Sequence, residues 1–232
     1  MIPLRTRLAS LKKDAERGIT MVELVVSMLL LSIVMTIVVS LLMSITNAAA
    51  LSQGIDASSK TASNAMNELA QVVRNGATVP VKNNIVPQPA FVSAAPESLT
   101  IHSVLDSSGS MLVPVRVGFT VNAKRQLIEH RWTASVTDGY YTWPTGVAVT
   151  SRNLSGSLLI PEAGGTPLFT YLDSLGNRLA MGTDNKLTAA NLAKVRSITI
   201  TMRVEAEGGA TGEIIELVNT IGLPNLGEVR TG

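Results

Sequence analysis

The chain of 232 residues contains no cysteine and few aromatic residues. Without cysteine, no disulfide bond can stabilise an exported domain. The aromatic residues are three phenylalanines, three tyrosines and two tryptophans. We therefore expect the hydrophobic core to consist mainly of valine, isoleucine, leucine, methionine and alanine.

The chain also lacks the sequence motifs of common catalytic and phosphate-binding sites. It has no Gly-x-Ser-x-Gly elbow, phosphate-binding loop or His-Glu-x-x-His pair. The two histidines, His102 and His130, lie in predicted strands, where a surface or half-buried structural role is expected. The sequence therefore predicts no catalytic residue, no cofactor and no bound metal, and it favours a protein that is not an enzyme.

Two predicted turns offer oxygen ligands of the kind that calcium prefers. They are the segment 173–177, which contains Asp173, Ser174 and Asn177, and the pair Asp184-Asn185. The same residue types dominate ordinary turns for purely local reasons. A structural role in the turn is therefore the favoured interpretation.

Positive charge is concentrated at the N-terminus. The first 18 residues contain five Lys or Arg and two Asp or Glu, whereas the whole chain has a formal net charge of +2. The remainder of the chain is therefore slightly acidic. Because a nucleic-acid-binding protein keeps its positive charge in the folded part, no direct contact with nucleic acid is predicted.

A long uncharged segment follows the basic N-terminus. Residues 24–45 contain no charged side chain, and as an α-helix they span ~33 Å, enough to cross a hydrocarbon core. An ordinary secretory signal has an apolar region of only about 7–15 residues. The sequence thus predicts a transmembrane helix at about 24–45, with its N-terminus in the cytoplasm because flanking Lys and Arg set the orientation.

A single carboxylate, Glu23, stands directly before this segment and is the fifth residue after Gly18. A carboxylate near the membrane is costly, and the helix dipole offsets that cost only modestly. Neither effect explains the interval from Gly18. The stretch Arg17-Gly18-Ile19-Thr20-Met21-Val22-Glu23 and the apolar run resemble the class III leader and N-terminal helix of type IV pilins and type II secretion pseudopilins. This resemblance covers about residues 10–50, with Ile19 in place of the usual phenylalanine.

The resemblance implies several site residues and partners. A prepilin peptidase would cut between Gly18 and Ile19, the new N-terminus at Ile19 would be methylated, and Glu23 would guide assembly. The implied partners are other pilin or pseudopilin subunits, the prepilin peptidase, a membrane assembly platform, and membrane lipid before extraction. The implied location is the bacterial cytoplasmic membrane, as a single-pass protein, and then an extracytoplasmic filament.

The helix is expected to continue beyond the membrane. Apolar residues recur at spacings of three, four and seven, which is typical of one buried helix face. They are Leu51, Ile55, Ala62, Met66, Leu69 and Val73. Asn75-Gly76 predicts the end of the helix, with Gly76 in a left-handed cap.

The rest of the chain is predicted to form a β-rich head. Residues 77–96 contain four prolines and are predicted to be an irregular connector. Alternating patterns predict strands at 99–105, 111–121, 127–132, 198–205 and 214–221. Turns are predicted at 122–125, which would make a hairpin, and at 208–212. A short helix is predicted at 188–194, with Thr188 as its N-cap. Pro114 favours an edge strand or a bulge at 111–121.

The predicted fold class is α+β, a long N-terminal helix packed on a mainly antiparallel sheet. The predicted domains are a cleaved leader at 1–18, the helix at 19–76 and an extracytoplasmic head at 77–232.

A looser resemblance lies near the C-terminus. The segment Phe169–Asn177, followed by Val195–Ile200, is similar to the C-terminal part of J-type pseudopilins and W-type minor pilins. It favours a minor pilin or pseudopilin, within a filament or at its tip. The alternative is a monomeric, signal-anchored extracytoplasmic binding domain.

Overall fold

The structure, a computed structural model, describes residues 19–81, 84–105, 113–143, 150–162, 164–206 and 213–224. The leader at 1–18, including Gly18, lies outside these residues. Residue contacts divide the chain into two units, Met1–Ala50 and Leu51–Gly232. The division falls inside a helix, and each unit is described by itself below.

The first helix, α1, covers Met21–Arg74. Thr20 caps its N-terminus, because the Thr20 hydroxyl accepts a hydrogen bond from the Glu23 amide at 3.2 Å. Every residue from Ile19 to Ala50 is exposed. Within the described residues, α1 is the helix whose length and composition suffice to cross a membrane.

The C-terminal part of α1 contributes one face to a hydrophobic core. Ala62, Met66, Leu69 and Val73 are buried, as the apolar spacing predicted. Their neighbours in this core include Leu99, Ile101 and Phe119 from two strands of the head. The predicted helix packed on an antiparallel sheet is therefore confirmed.

The helix ends where predicted, but the glycine there acts differently from the prediction. Gly76 is not among the described glycines with positive φ, so the left-handed cap was wrong. A Cβ at Gly76 would lie 2.9 Å from Ile101 Cδ1 and 3.0 Å from the Val73 carbonyl oxygen. Glycine is therefore favoured at this position because a side chain would collide with the last turn of α1 and with Ile101.

The described part of the head contains twelve strands and a short helix. The strands are β1 Val79–Val81, β2 Asn84–Gln88, β3 Phe91–Ala95, β4 Ser98–Ser103, β5 Val115–Val121, β6 Gln126–Thr133, β7 Ser135–Thr137, β8 Tyr140–Thr142, β9 Thr150–Ser157, β10 Phe169–Leu172, β11 Ser197–Glu205 and β12 Ile214–Gly222. They form a five-stranded sheet in the order β3-β4-β5-β6-β9, a three-stranded sheet β10-β11-β12, and the pairs β1-β2 and β7-β8. Every pairing between these strands is antiparallel.

Several predicted elements are confirmed. The hairpin of β5 and β6 turns at residues 122–125, and β11 pairs with β12 in one continuous register. The short helix α2, Ala189–Leu192, has Thr188 as its N-cap, whose hydroxyl accepts from the Asn191 amide at 3.3 Å. The predicted turn at 208–212 and Met111 lie outside the described residues.

The prediction of an irregular connector at 77–96 was wrong, since this segment contains β1, β2 and β3. Pro80 and Pro87 are exposed and belong to a two-stranded sheet with an irregular register. A proline is tolerated on an edge strand, where its missing N–H breaks no ladder. Phe91 and Ala94 are buried and make β3 part of the core. The prediction for Pro114 was also wrong, because β5 is a central strand and Pro114 stands just before it.

Candidate functional site

The start of α1 places Glu23 in the first helical turn. Thr20 and Glu23 have the spacing of a capping box, in which the N-cap hydroxyl binds the amide of the third helical residue. That half of the box is present, and the Thr20 carbonyl accepts from the Leu24 amide at 3.0 Å. The capping by Thr20 therefore determines that α1 begins at Met21.

The Glu23 carboxylate is exposed, and so is Ile19, whose exposed fraction is 72%. Among the described residues no ion pair includes Glu23. A carboxylate in this position can accept hydrogen bonds from an amine or guanidinium. Gly18, the other residue of the predicted junction, lies outside the described residues.

The hydroxyl groups along the apolar helix are bonded to their own backbone. Ser27 donates to the Glu23 carbonyl at 2.7 Å, Ser32 to the Leu29 carbonyl at 2.7 Å, and Thr36 to the Ser32 carbonyl at 2.8 Å. Such back-bonding lets a hydroxyl enter an apolar environment without an unpaired donor. The segment that follows Glu23 is therefore suited to lipid or to other apolar helices.

His102 lies in β4 and is fully buried. Its ring stacks on Trp143 with centroids 4.2 Å apart, and Arg116 Nε donates to His102 Nε2 at 3.3 Å. Burial, reinforced by the Arg116 charge and opposed by the nearby Pro89 carbonyl, lowers the pKa of His102 to about 4. The imidazole is therefore neutral at physiological pH and acts as a packing group.

The lowered pKa of His102 predicts a loss of stability in acid. Between pH 6.5 and 4 the unfolded chain binds more protons at this residue than the folded chain does. The free energy of unfolding should therefore fall as the pH is lowered through this window, by about 2–3 kcal/mol. Denaturant titrations of the detergent-solubilised chain, followed by tryptophan fluorescence, measure this change. His102→Phe keeps a stacking ring, and an unchanged pH dependence in this variant would contradict the assignment.

His130 bridges three neighbouring strands. Its Nε2 lies 3.0 Å from the Thr120 hydroxyl of β5, and its Nδ1 lies 2.8 Å from the Ser151 hydroxyl of β9. A hydroxyl can both donate and accept, so each of these two contacts can form whichever ring nitrogen carries the proton. This arrangement cross-links the outer face of the five-stranded sheet.

A group of four charged residues, which the sequence did not predict, joins α1 to the five-stranded sheet. Glu129 of β6 is fully buried, and its carboxylate contacts Arg131 Nε at 2.7 Å and Arg152 Nε. Glu68 of α1 contacts the same guanidinium groups, Arg131 at 2.6 Å and Arg152 at 2.7 Å. We call Glu68, Glu129, Arg131 and Arg152 the charge cluster. The hydrogen bond to Glu129 is the main reason that the pKa of Arg152 is raised.

The two turns with oxygen ligands have local structural roles. Asp173 Oδ1 accepts from the Leu175 amide at 2.9 Å and the Asn177 amide at 2.8 Å. These bonds, the one from Asn177 first, lower the pKa of Asp173. Asp184 Oδ1 accepts from the Lys186 amide at 3.2 Å. In the described part of the chain, no group of three or more His, Asp or Glu side chains is arranged to hold a metal ion.

Comparison with known families identifies the N-terminal segment. Residues 13–39 match the prokaryotic N-terminal methylation motif. No curated protein matches the chain. The matched range includes Gly18, Ile19 and Glu23, and it supports the resemblance to type IV pilins and pseudopilins and processing by a prepilin peptidase. A leader of this class and the exposed apolar helix fit a membrane-anchored protein.

Proposed function

We propose that this protein is a structural subunit, a minor pilin or pseudopilin, that assembles into a type IV pilus-like filament or a secretion or competence pseudopilus. The chain is first held in the cytoplasmic membrane with its N-terminus in the cytoplasm. A prepilin peptidase removes residues 1–18, and Ile19 is then methylated. A membrane assembly platform extracts the subunit into the filament or its tip.

The observation that carries this proposal is the position of Glu23 at the start of an exposed apolar helix, within the methylation motif. The apolar surface of residues 24–45 needs either lipid or other apolar helices around it. In a filament the helix exchanges lipid for neighbouring helices. Glu23 then gains a cationic partner, the amine of a neighbouring Ile19.

The C-terminal region supports a minor subunit of the J-type or W-type group. The similar segments 169–177 and 195–200 correspond to β10 with its Asp173 turn and to the start of β11, which pair side by side. The histidine contacts support a role without catalysis, because His102 is a packing group and His130 bridges strands. The alternative function is a monomeric signal-anchored binding domain. It predicts a different N-terminus, because such a chain would not be cut between Gly18 and Ile19.

Mass spectrometry of the N-terminus tests the proposed processing. From cells that contain a prepilin peptidase, we expect a mature chain that begins at Ile19 and carries one methyl group. Cleavage depends on Gly18, so Gly18→Glu should leave the full precursor and reduce the mature form by at least ~100-fold, equivalent to about 2.7 kcal/mol in the transition state.

The control is the conservative variant Gly18→Ala, in which partial cleavage is expected because alanine is also small. An intact Met1 in the wild-type chain, or cleavage beyond Ala50, would favour the signal-anchored binding domain. A second measurement tests assembly apart from processing. If the protein assembles, the mature chain should be found in filaments sheared from the cells; if it is only processed, the mature chain should stay in the membrane.

A further inference from the structure

Strand β12 lies at the edge of the three-stranded sheet. The order β10-β11-β12 gives β12 one neighbour, and no other described strand pairs with it. It is nine residues long, and its pairing with β11 is continuous from Ile214 to Gly222. Such an edge offers a row of backbone donors and acceptors to another strand.

The hydrogen bonds of β11 define which residues of β12 face outward. The Thr201 amide donates to the Leu168 carbonyl and the Arg203 carbonyl accepts from Leu159, so both residues direct their backbone groups away from β12. Their partners, Val218 and Glu216, therefore form non-hydrogen-bonded pairs with β11. By the alternation of an antiparallel ladder, the backbone N–H and C=O of every second residue point outward. These residues are Ile214, Glu216, Val218, Thr220 and Gly222.

These five residues are exposed as well. The exposed fractions of Val218 and Ile214 are 59% and 50%. Proteins usually protect an edge with lysine, proline or a bulge, and 214–222 contains none of these. Its single charged residue, Glu216, is already paired with Arg203 at 3.2 Å.

We propose that β12 is an interface for a second copy of this chain, with two β12 strands pairing antiparallel about a two-fold axis at Val218. This pairing would join the two three-stranded sheets into one sheet of six strands. It concerns the head and does not depend on the proposed filament assembly. An isologous contact of this kind closes on itself and gives a dimer.

Among axes placed at the three central outward-facing residues, Glu216, Val218 and Thr220, the charge and size pattern favours Val218. With the axis at Val218, Glu216 lies opposite Thr220 of the second copy, and Ile214 lies opposite Gly222. No like charges meet, and the two Val218 side chains lie next to each other. With the axis at Glu216, two carboxylates would face each other, which is destabilising. With the axis at Thr220, Glu216 would lie opposite Pro224, which has no N–H to donate.

Cysteine cross-linking of the purified full-length chain tests the pairing, because the wild-type chain has no cysteine. Val218→Cys places two thiols at the axis, where opposed Cα atoms are about 5.5 Å apart. A short bis-maleimide should therefore yield a covalent dimer. The matched control is Leu175→Cys, at a turn residue with an exposed fraction of 83%. We expect at least tenfold more dimer from Val218→Cys than from the control.

A second variant tests the same edge without a reagent. Val218→Lys leaves the ladder with β11 intact but brings two lysines together at the axis. The wild-type chain should sediment as a dimer in detergent, and Val218→Lys as a monomer with unchanged tryptophan fluorescence. Equal cross-linking at positions 175 and 218, or a wild-type chain that remains monomeric, would overturn the proposal.

Discussion

Replacing Glu129 with alanine is expected to lower the free energy of unfolding by about 3 kcal/mol, because it leaves two guanidinium groups without their buried partner. Glu129 is fully buried and contacts both Arg131 and Arg152. Glu68 alone would then have to neutralise both arginines. Denaturant titration of the detergent-solubilised chain measures the change in the free energy of unfolding.

The control for this prediction is a bidentate ion pair elsewhere on the same head. Glu97 accepts from Arg125 Nη1 and Nη2, both at 2.7 Å, but its side chain is 38% exposed. Because the Glu97 carboxylate is partly exposed and water screens this pair, Glu97→Ala should cost only about 1 kcal/mol. Equal costs for the two variants would show that the charge cluster contributes no more than a surface pair.

The charge cluster also shows what the sequence could not predict. Glu129, His130 and Arg131 are consecutive in β6, so strand geometry alone places Glu129 and His130 on opposite sides of the sheet. It does not predict that Glu68, 63 positions away from Arg131 along the chain, faces the inner side. That contact depends on how α1 lies against the sheet, and no local pattern encodes it. The signal in the sequence is that two opposite charges, Glu129 and Arg131, share one face of β6 with the apolar Leu127.

Local patterns were reliable where one face is buried and the other is exposed. The alternation in 198–205 predicted β11, and the three- and four-residue spacing predicted the buried face of α1, because both follow from the geometry of a strand or helix against a core. The prediction of an irregular connector at 77–96 was wrong for a related reason. Four prolines predict an irregular segment, whereas the short pair β1-β2 tolerates Pro80 and Pro87, and the buried Phe91 makes β3 part of the core.

The candidate assembly site was predicted differently, from a motif rather than from packing. The roles of Gly18, Ile19 and Glu23 are what the resemblance to pilins implies. The structure adds that Thr20 caps α1 and that Glu23 is the third helical residue. Glu23 therefore has two separable properties: its side chain can complete a capping box, and its charge can bind a cation.

Glu23→Ala is expected to preserve membrane insertion and cleavage but to reduce incorporation into filaments by about tenfold to a hundredfold. A hydrogen bond to a charged group contributes about 1.5–3 kcal/mol, which corresponds to that range in an equilibrium. The loss of incorporation should result from the missing charge alone, because the apolar surface of residues 24–45 is unchanged. Quantitative immunoblots of sheared filaments and of membranes measure the two pools.

Two matched variants distinguish the role of the Glu23 charge from the role of Glu23 in capping the helix. Glu23→Gln keeps a residue that can complete the capping box with Thr20, so a role in capping alone predicts normal incorporation. A role as the partner of a neighbouring amine predicts that Glu23→Gln fails as Glu23→Ala does. Asp56→Ala removes an exposed carboxylate farther along the same helix and should leave incorporation unchanged. Normal incorporation of both Glu23 variants would refute the assembly role, since neither can supply the negative charge.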